Sequence, residues 1–413
     1  MPSSLTIDSA RIPLVEVFAV VPDPRARRGV RHGLSVVLTL AAAAVLAGAK
    51  SLLAVGEWVA EADRDALSQL GISPDVVLPS ESTIRRTLAG LDANDLDARL
   101  GGWMATRVNE VAGRRVIAVD GKSLRGATSG GAMPHLLSAL DHDHGVVLAQ
   151  RAVADKGSEI SALKDLLASM DLTGVVVTAD ALHCQRDTAT WLVDRGAQYV
   201  LTVKGNQPGL RNTLKDLPWA KVPGHSYRDR RHGRQVTRTV KAVQVPAWVD
   251  WPGAAQVLQV RRTRIVNGRR RVEVVYAVSS VPMDQAQPRV VAAWIQGHWG
   301  IENKLHWVRD VTFDEDRHQL RVGSGPQVMA SLRNTGISLL RLAGWTSITA
   351  GIRHHAHHQQ HAEVSPSFPQ VNAPRTDFAE ALGGHGVVVC CLGAGDVTGV
   401  VVEQEGVLAG ARL

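Results

Sequence analysis

Cysteine is scarce in this chain. Three residues among 413, Cys184, Cys390 and Cys391, cannot build a disulfide framework or a cysteine-rich zinc module, and they fit a reducing compartment. Long apolar runs are missing as well. The Ala-rich uncharged stretch over 34–49 falls short of the roughly 20 residues a membrane-spanning helix needs, and it reads as a buried helix. The first residues show no basic segment leading into an apolar core and a small-residue cleavage site, so no secretory leader is expected. Several catalytic signatures are absent too. Asp120-Gly-Lys-Ser mimics the end of a phosphate-binding loop, but Val116 stands where that loop needs its first glycine, which argues against nucleotide hydrolysis. No nucleophile-elbow motif and no H-E-x-x-H occurs, and Cys184 beside His183 is a weak candidate thiol.

What is present is positive charge, unevenly placed. The chain has 46 Lys+Arg against 39 Asp+Glu, a net +7 with a pI near 9.6. Between positions 225 and 275 stand 12 basic residues, Arg230, Arg234, Arg262 and Arg270 among them, against Asp229, Asp250 and Glu273. That window carries +9 and the remainder of the chain −2. A basic block in an otherwise near-neutral chain points to a polyanion, with nucleic acid the first candidate; a solvated basic surface is the competing reading.

Residues 1–112 read as helical. After an Ala-rich segment and an amphipathic one comes PSESTIRRTLAGLD, in which Ser80 or Ser82 can cap a helix displaying Arg85 and Arg86. Such a helix suits a DNA groove, or equally a bundle surface with solvated arginines. From Arg115 the pattern changes to apolar runs of strand length: VIAVDG, HLLSALD, GVVLAQRAVA, GVVVTAD and YVLTVKG. With the intervening helices the order is β-β-β-α-β-α-β, a tight turn joining the second and third strands. This predicts an α/β sheet covered by helices. Alternating segments over 207–285 predict a β-rich insertion carrying the basic block. Helical patterns then resume near Pro288 and end at Gly344. The tail over 354–413, which begins with a histidine cluster, shows no periodicity and is expected to be poorly ordered.

Asp120 and Asp180 sit where predicted strands meet loops, and acids at adjacent strand ends are costly unless a cation compensates them. Glu302 follows on a later helix. At 100° per residue His298, Glu302, His306 and Arg309 share one stripe, which a merely solvated face could also show. Hard carboxylate oxygens suit Mg²⁺, and two such ions about 4 Å apart can clamp an in-line phosphodiester displacement.

AVDGKSLRGA, HLLSALDHDHGVVLAQ, GVVVTADALHCQRDTATWLV, LTVKGNQPGL, GHWGIENKLHWVRDVTFDED and MASLRNTGISLLRLAG resemble, in this order, the ISAs family of bacterial insertion-sequence transposases. The resemblance spans about residues 10–353. It implies a DDE transposase with a helical N-terminal region and an RNase H-like catalytic domain over 113–353, its β-rich insertion preceding the last acid. The implied triad is Asp120, Asp180 and Glu302, holding two Mg²⁺ ions for which Mn²⁺ can substitute. Related enzymes carry a Tyr-Arg-Glu-Lys signature around that last acid; here the positions read Ile295, His298, Glu302 and Arg309, so it is only partly kept. The implied partner is double-stranded DNA, as element ends and target, bound by a dimer. Arg309, Lys204, His298 and the basic block would carry phosphates, with strongly salt-dependent affinity. Trp248 or Trp251 is either a stacking platform for an unpaired base or a packing residue, and packing is the stronger reading. The expected location is the bacterial cytoplasm, with the nucleoid. A metal-dependent nuclease, a decayed copy and a binding protein without catalysis are the rivals.

Overall fold

The computed structural model describes residues 12–108, 114–128, 133–153, 156–231, 234–266 and 269–357. Six helices come first: α1 (Leu14–Ala19), α2 (Leu34–Leu46), α3 (Leu52–Glu61), α4 (Arg64–Gln69), α5 (Glu81–Gly90) and α6 (Ala93–Ala105). The Ala- and Leu-rich α2 is buried almost all round, as its lack of a polar face requires. Helix α3 starts on Ser51, whose hydroxyl accepts from Ala54 N, and α6 on Asp92, which accepts from Asn94 N and Asp95 N. Ser80 precedes α5 but makes no side-chain cap bond. No helix among the described residues is long and apolar enough to cross a membrane.

A nine-stranded mixed sheet follows, in the order β3-β2-β1-β4-β5-β9-β8-β7-β6. Its first half comprises β1 (Val116–Ser123), β2 (His135–Asp141), β3 (Val147–Val153), β4 (Val176–Ala179) and β5 (Gln198–Val203). Strands β1, β2 and β3 pair antiparallel, whereas β4 runs parallel to both β1 and β5. Helices α7 (Glu159–Leu167) and α8 (Arg186–Asp194) make the two crossovers.

The basic segment extends this sheet. After α9 (Pro208–Lys215), strands β6 (Gly224–Arg231), β7 (Arg234–Gln244), β8 (Gln256–Val266) and β9 (Arg269–Ser279) form an antiparallel meander. Strand β9 then returns to pair with β5, Val200 opposite Ser279 and Val203 opposite Tyr276. The expected β-rich insertion is therefore continuous with the sheet that carries the acids.

Alternation along the strands sends neighbours to opposite faces. Val116, Val176, Val200 and Leu258 pack under α10 (Pro288–His298), while Ile117, Val177, Leu201 and Val257 belong to the large cluster on the other face. That cluster also takes in residues of α1 to α6 and of α12 (Gly325–Leu342), so the N-terminal helices and the sheet share one core. Helix α6 lies so close to β3 that a Cβ on Gly101 would sit 2.2 Å from the carbonyl oxygen of Leu148.

The helix after α10 is not regular. Glu302–His306 form a π turn, closed by a bond from Trp307 N–H to Glu302 O, before α11 (Trp307–Val311). A π turn holds one more residue than an α turn and rotates everything after it by about 100°. Arg309 is thereby carried off the Glu302 stripe into the core. It is 0% exposed, with Nε and Nη2 each 2.8 Å from Glu315 Oε2. Arg333 Nη1 donates to the other oxygen at 2.8 Å. The expectation that Arg309 binds phosphate is corrected here: its guanidinium is closed on Glu315.

From this triad a polar chain runs across the core. Arg309 Nη1 and Asn334 Nδ2 donate to Gln150 Oε1 at 3.3 and 2.7 Å, and Gln150 Nε2 donates to Asp97 at 3.1 Å. Ser331 and Gln327 also donate to Asp97. Helix α13 (Ile348–His357) ends the described chain, so the tail expected from 354 begins as helix. The tail from 358 to 413, with His358, His361, Cys390 and Cys391, lies outside the described residues.

Two stability predictions follow from the buried chain. Burial pushes the Glu315 carboxyl up, but the two guanidinium groups outweigh it and hold it at about 2. Glu315→Ala would leave both cations uncompensated and should cost about 3–5 kcal/mol in urea unfolding; an unchanged midpoint would refute the ion triad. Burial raises Asp97 from 3.8 to about 7, against the hydrogen bonds of Ser331, Gln327 and Gln150. The folded chain thus keeps a proton that the unfolded chain releases, so stability falls as pH rises from about 4 to about 7. Thermal melts at pH 5 and pH 8 should show this loss, on the order of a few kcal/mol, in the wild type, and Asp97→Asn should lack it.

Candidate active site

Strand register sets the first two acids side by side. Val119 of β1 pairs with Ala179 of β4, so Asp120 and Asp180 come next on adjacent parallel strands. Asp120 is not at the end of its strand, because β1 continues to Ser123 against β2; what ends there is β4. Asp180 turns the chain into the short helical turn Ala181–His183, its Oδ1 accepting from Leu182 N at 2.8 Å.

Glu302 approaches from the π turn. His306 Nδ1 lies 3.2 Å from Glu302 Oε2 and 3.7 Å from Asp120 Oδ2. One donor atom from each of Asp120, Glu302 and His306 falls within 4.8 Å of the others. Asp180 is outside this close group but lines the same cavity. The hydrogen bond from His306 holds the Glu302 carboxyl below its usual range, against the effect of burial. Burial raises Asp120; His306 and the Gly121 N–H ease it, while Asp180 and Glu159 repel it further.

Asp120, Asp180 and Glu302 open on a cavity of about 880 Å³. Asp120, Thr178 and Asp180 line it together with residues 295–304, and the extended sheet adds Lys204, Tyr227, Arg238, Arg262 and Arg264. The Arg238 guanidinium lies 5.8 Å from the Tyr227 ring. Burial lowers the pKa of Arg262, and the nearby Arg264 and Arg238 lower it further. Acids and cations thus share one cavity of a size that admits a nucleotide segment.

The remaining sequence-predicted residues divide. Lys204 and Arg262 line the cavity. His298 lines it too, but burial lowers its pKa to about 4 and its Nδ1 sits 3.2 Å from the Thr178 hydroxyl. Half-buried on Thr178 with a lowered pKa, it is poorly placed for its expected part as a phosphate-binding cation. Arg270, Arg85 and Arg86 are not among the cavity's lining residues. Arg85 pairs with Glu81 at 3.4 Å, and Arg86 Nε donates to the Ser82 carbonyl at 3.1 Å. Arg230 and Arg234 stand at the β6–β7 turn, Arg230 opposite Gln235, where the backbone alone is described. Trp251 is buried and Trp248 exposed, and neither lines the cavity, whereas the exposed Trp299 does. Cys184 is fully buried and its thiol is pushed up to about 12, which removes it as a nucleophile.

Sequence reasoning missed a buried cluster behind Asp120. Glu159 opens α7 with its carboxylate between His135 Nε2 at 2.6 Å and His183 Nε2 at 3.6 Å. Burial raises the Glu159 carboxyl, yet the two histidines outweigh it and bring it to about 2. His135 also bonds Ser123 at 2.9 Å, so the cluster ties β1, β2, α7 and the turn after Asp180 together. Adjacency of His183 to the Asp180 motif was the one local signal. Gly121 makes the fit possible: a Cβ there would lie 2.4 Å from His135 Nε2 and 2.7 Å from Glu159 Oε2. Gly121→Ala should therefore destabilise the fold by about 1–3 kcal/mol, read as a lower thermal midpoint, and an unaltered midpoint would show that the cluster yields.

Comparison with known proteins agrees with this geometry. The family model described as Transposase DDE domain matches residues 112–336, over half of the chain, and DDE_Tnp_1-associated matches 15–104. YncI of Escherichia coli O157:H7 is 31% identical over 345 residues, 79% of this chain and 87% of that protein. The H repeat-associated YhhI of Escherichia coli K12 is 29% identical over 346 residues, 79% of this chain and 90% of that one. Both carry transposase designations. A cryo-EM structure of the piggyBac transposase synaptic complex with hairpin DNA is a distant likeness, with 12% identity and a TM-score of 0.37 over 82% of this chain and 76% of that one. With its catalytic-domain model spanning the three acids and its relatives aligned over most of their length, the chain belongs to the DDE transposase family of DNA-processing enzymes, for which divalent metal use is implied.

Proposed function

We propose that this protein is an insertion-sequence transposase of the ISAs type, with an RNase H-like core, that cleaves and joins DNA at the terminal inverted repeats of its own element. The observation that carries the reading is the convergence of Asp120, Asp180 and Glu302 on one cavity that also holds Lys204, Arg238, Arg262 and Arg264. The strand order β3-β2-β1-β4-β5, with acids on the first and fourth strands, is the arrangement an RNase H-like core needs. The expected division into a helical region over 1–112, a catalytic domain over 113–353 and a tail belongs to the same proposal.

The donor set fits a divalent metal. Burial raises Asp120, with Asp180 and Glu159 adding a smaller repulsion, and hard carboxylate oxygens in such a place favour Mg²⁺. Asp120, Asp180 and Glu302 would hold two such ions, with Mn²⁺ able to substitute. When bound, the metal supplies charge neutralisation and a more acidic nucleophile, water for cleavage and a 3′-OH for joining. The chain's own residues do the rest. Lys204, Arg262 and Arg264, which line the same cavity as the acids, hold phosphates and fix the strand for in-line attack. His306 keeps Glu302 ionised, and Lys122, paired with Asp310 at 2.6 Å, anchors β1 to α11. Trp299, 60% exposed at the cavity, offers a base-stacking face that the buried Trp251 cannot. Duplex DNA, as element end and as target, is the partner, bound by a dimer in the bacterial nucleoid.

The test is a labelled duplex carrying the DNA that borders the gene, incubated with wild type and with Asp180→Ala in Mg²⁺ and in Ca²⁺. Site-specific cutting and joining are expected from wild type in Mg²⁺ alone. The variant should lose at least about 100-fold in rate, the upper end of what even an outer-shell change costs a metal site, while still binding the duplex. Cutting without joining would reduce the protein to a nuclease. Specific binding without cutting would make it a decayed copy or a binding protein, and an unaffected Asp180→Ala would refute the site.

A further inference from the structure

The catalytic proposal uses His306 only to keep Glu302 ionised, yet this histidine stands near Asp120 as well. Its ring is 3% exposed, Nδ1 is turned to both Glu302 and Asp120, and Nε2 has no hydrogen-bond partner. A histidine whose task is packing alone would be expected to satisfy both nitrogens when buried. Its position is also the product of an irregular backbone. The π turn from Glu302 to His306 sets both residues toward β1 at the expense of the regular helix, and such turns recur where function requires them.

The distances suit a shared ion. An ion with bonds of about 2.1 Å in octahedral geometry places adjacent ligands about 3.0 Å apart and opposite ligands about 4.2 Å apart. The donor atoms of Asp120, Glu302 and His306 fall within 4.8 Å of one another, with the histidine 3.2 and 3.7 Å from the two acids. Small side-chain adjustments would close all three on one ion.

We infer that His306 is a direct ligand, through Nδ1, to the divalent ion on the Asp120–Glu302 side. The inference deepens the function proposed above and rests on its metal site. It makes this half of the site a mixed nitrogen–oxygen set, unlike the all-oxygen set that Asp120, Asp180 and Glu302 would form alone. Imidazole is a better ligand for transition ions than for Mg²⁺ or Ca²⁺, and Mn²⁺ accepts carboxylate and imidazole together. The half-site therefore holds Mn²⁺ more tightly than Mg²⁺, and His306 widens that margin. In the alternative arrangement Nδ1–H only donates to Glu302, the ring is a positioning residue, and any ion touches oxygen alone.

Electron paramagnetic resonance of Mn²⁺ bound to the full chain distinguishes the two without recourse to activity. Free Mn²⁺ is titrated with wild type, His306→Gln and Asp120→Asn, and the bound ion is examined by pulsed methods for nitrogen coupling. Wild type is expected to show ¹⁴N coupling that changes to the ¹⁵N pattern when histidine alone is ¹⁵N-labelled. His306→Gln should lose the coupling and bind Mn²⁺ about tenfold or more weakly, with a smaller change for Mg²⁺ in competition. If His306→Gln does not fold, the labelled wild-type spectrum decides alone. Mn²⁺ binding that needs Asp120 but shows no histidine coupling would overturn this inference and leave the metal site standing. Coupling that survives in His306→Gln would assign the nitrogen elsewhere and overturn it too, and no Mn²⁺ binding at all would overturn both readings.

Discussion

One carboxylate, that of Glu315, holds the two halves of the molecule in register. It lies between the guanidinium groups of Arg309 and Arg333, all three buried, and none has water to fall back on. Buried charges of this kind tolerate little displacement, because separating them exposes each to the full cost of desolvation. Arg309 belongs to α11 and Arg333 to α12, and Asp314, just before Glu315, takes a left-handed conformation (φ 53°) that turns the chain back between them. Arg333 also donates to the Lys50 carbonyl, between α2 and α3. Through Gln150 and Asp97 the same constraint reaches β3 and α6. The π turn that carries Glu302 is thereby fixed from behind, and the last acid meets the first two without a contact of its own to the sheet ladder.

The site is built on opposed charge at two depths. At one depth, acids are held together despite repelling: Asp120 feels Asp180 and Glu159, and Glu302 comes close to it beside His306. Glu159 is calmed by two histidines, whereas Asp120 is left raised and in need of a cation. Farther out, Arg238, Arg262 and Arg264 crowd one another beside Tyr227. An anionic chain lying against those arginines brings its phosphate toward the acids, and a cation is what allows both to remain there.

Much of this was readable in the sequence, and the reasons differ from residue to residue. Asp120 and Asp180 could be found because each ends an apolar run long enough to be a buried strand, and two parallel strands in register set their next residues side by side. The basic block was legible as composition. Its place was not, because the pairing of β9 with β5 depends on a partner strand some 75 residues away, which no local pattern reports. Arg309 was misplaced for a specific reason: the α period of 3.6 was carried through residues 302–306, where the backbone is a π turn. His298 had the right neighbourhood, but its half-buried contact with Thr178 comes from tertiary packing that no local pattern reports. Glu159, His135 and His183 come from three distant segments, and only folding puts them in one place.

The unbroken sheet has a mechanical consequence. Every strand from β6 to β5 is hydrogen-bonded to the next, and β5 is bonded to β4, which leads directly into Asp180. The β6–β9 meander is thus a stiff lever rooted in the acid-bearing strands. A load on its tip, such as the bending of a long polymer held against its arginines, is borne by rows of backbone bonds acting together. Torque applied there would reach β5 and β4 as twist, so the meander and the spacing of Asp120 and Asp180 are tied through the elasticity of one sheet.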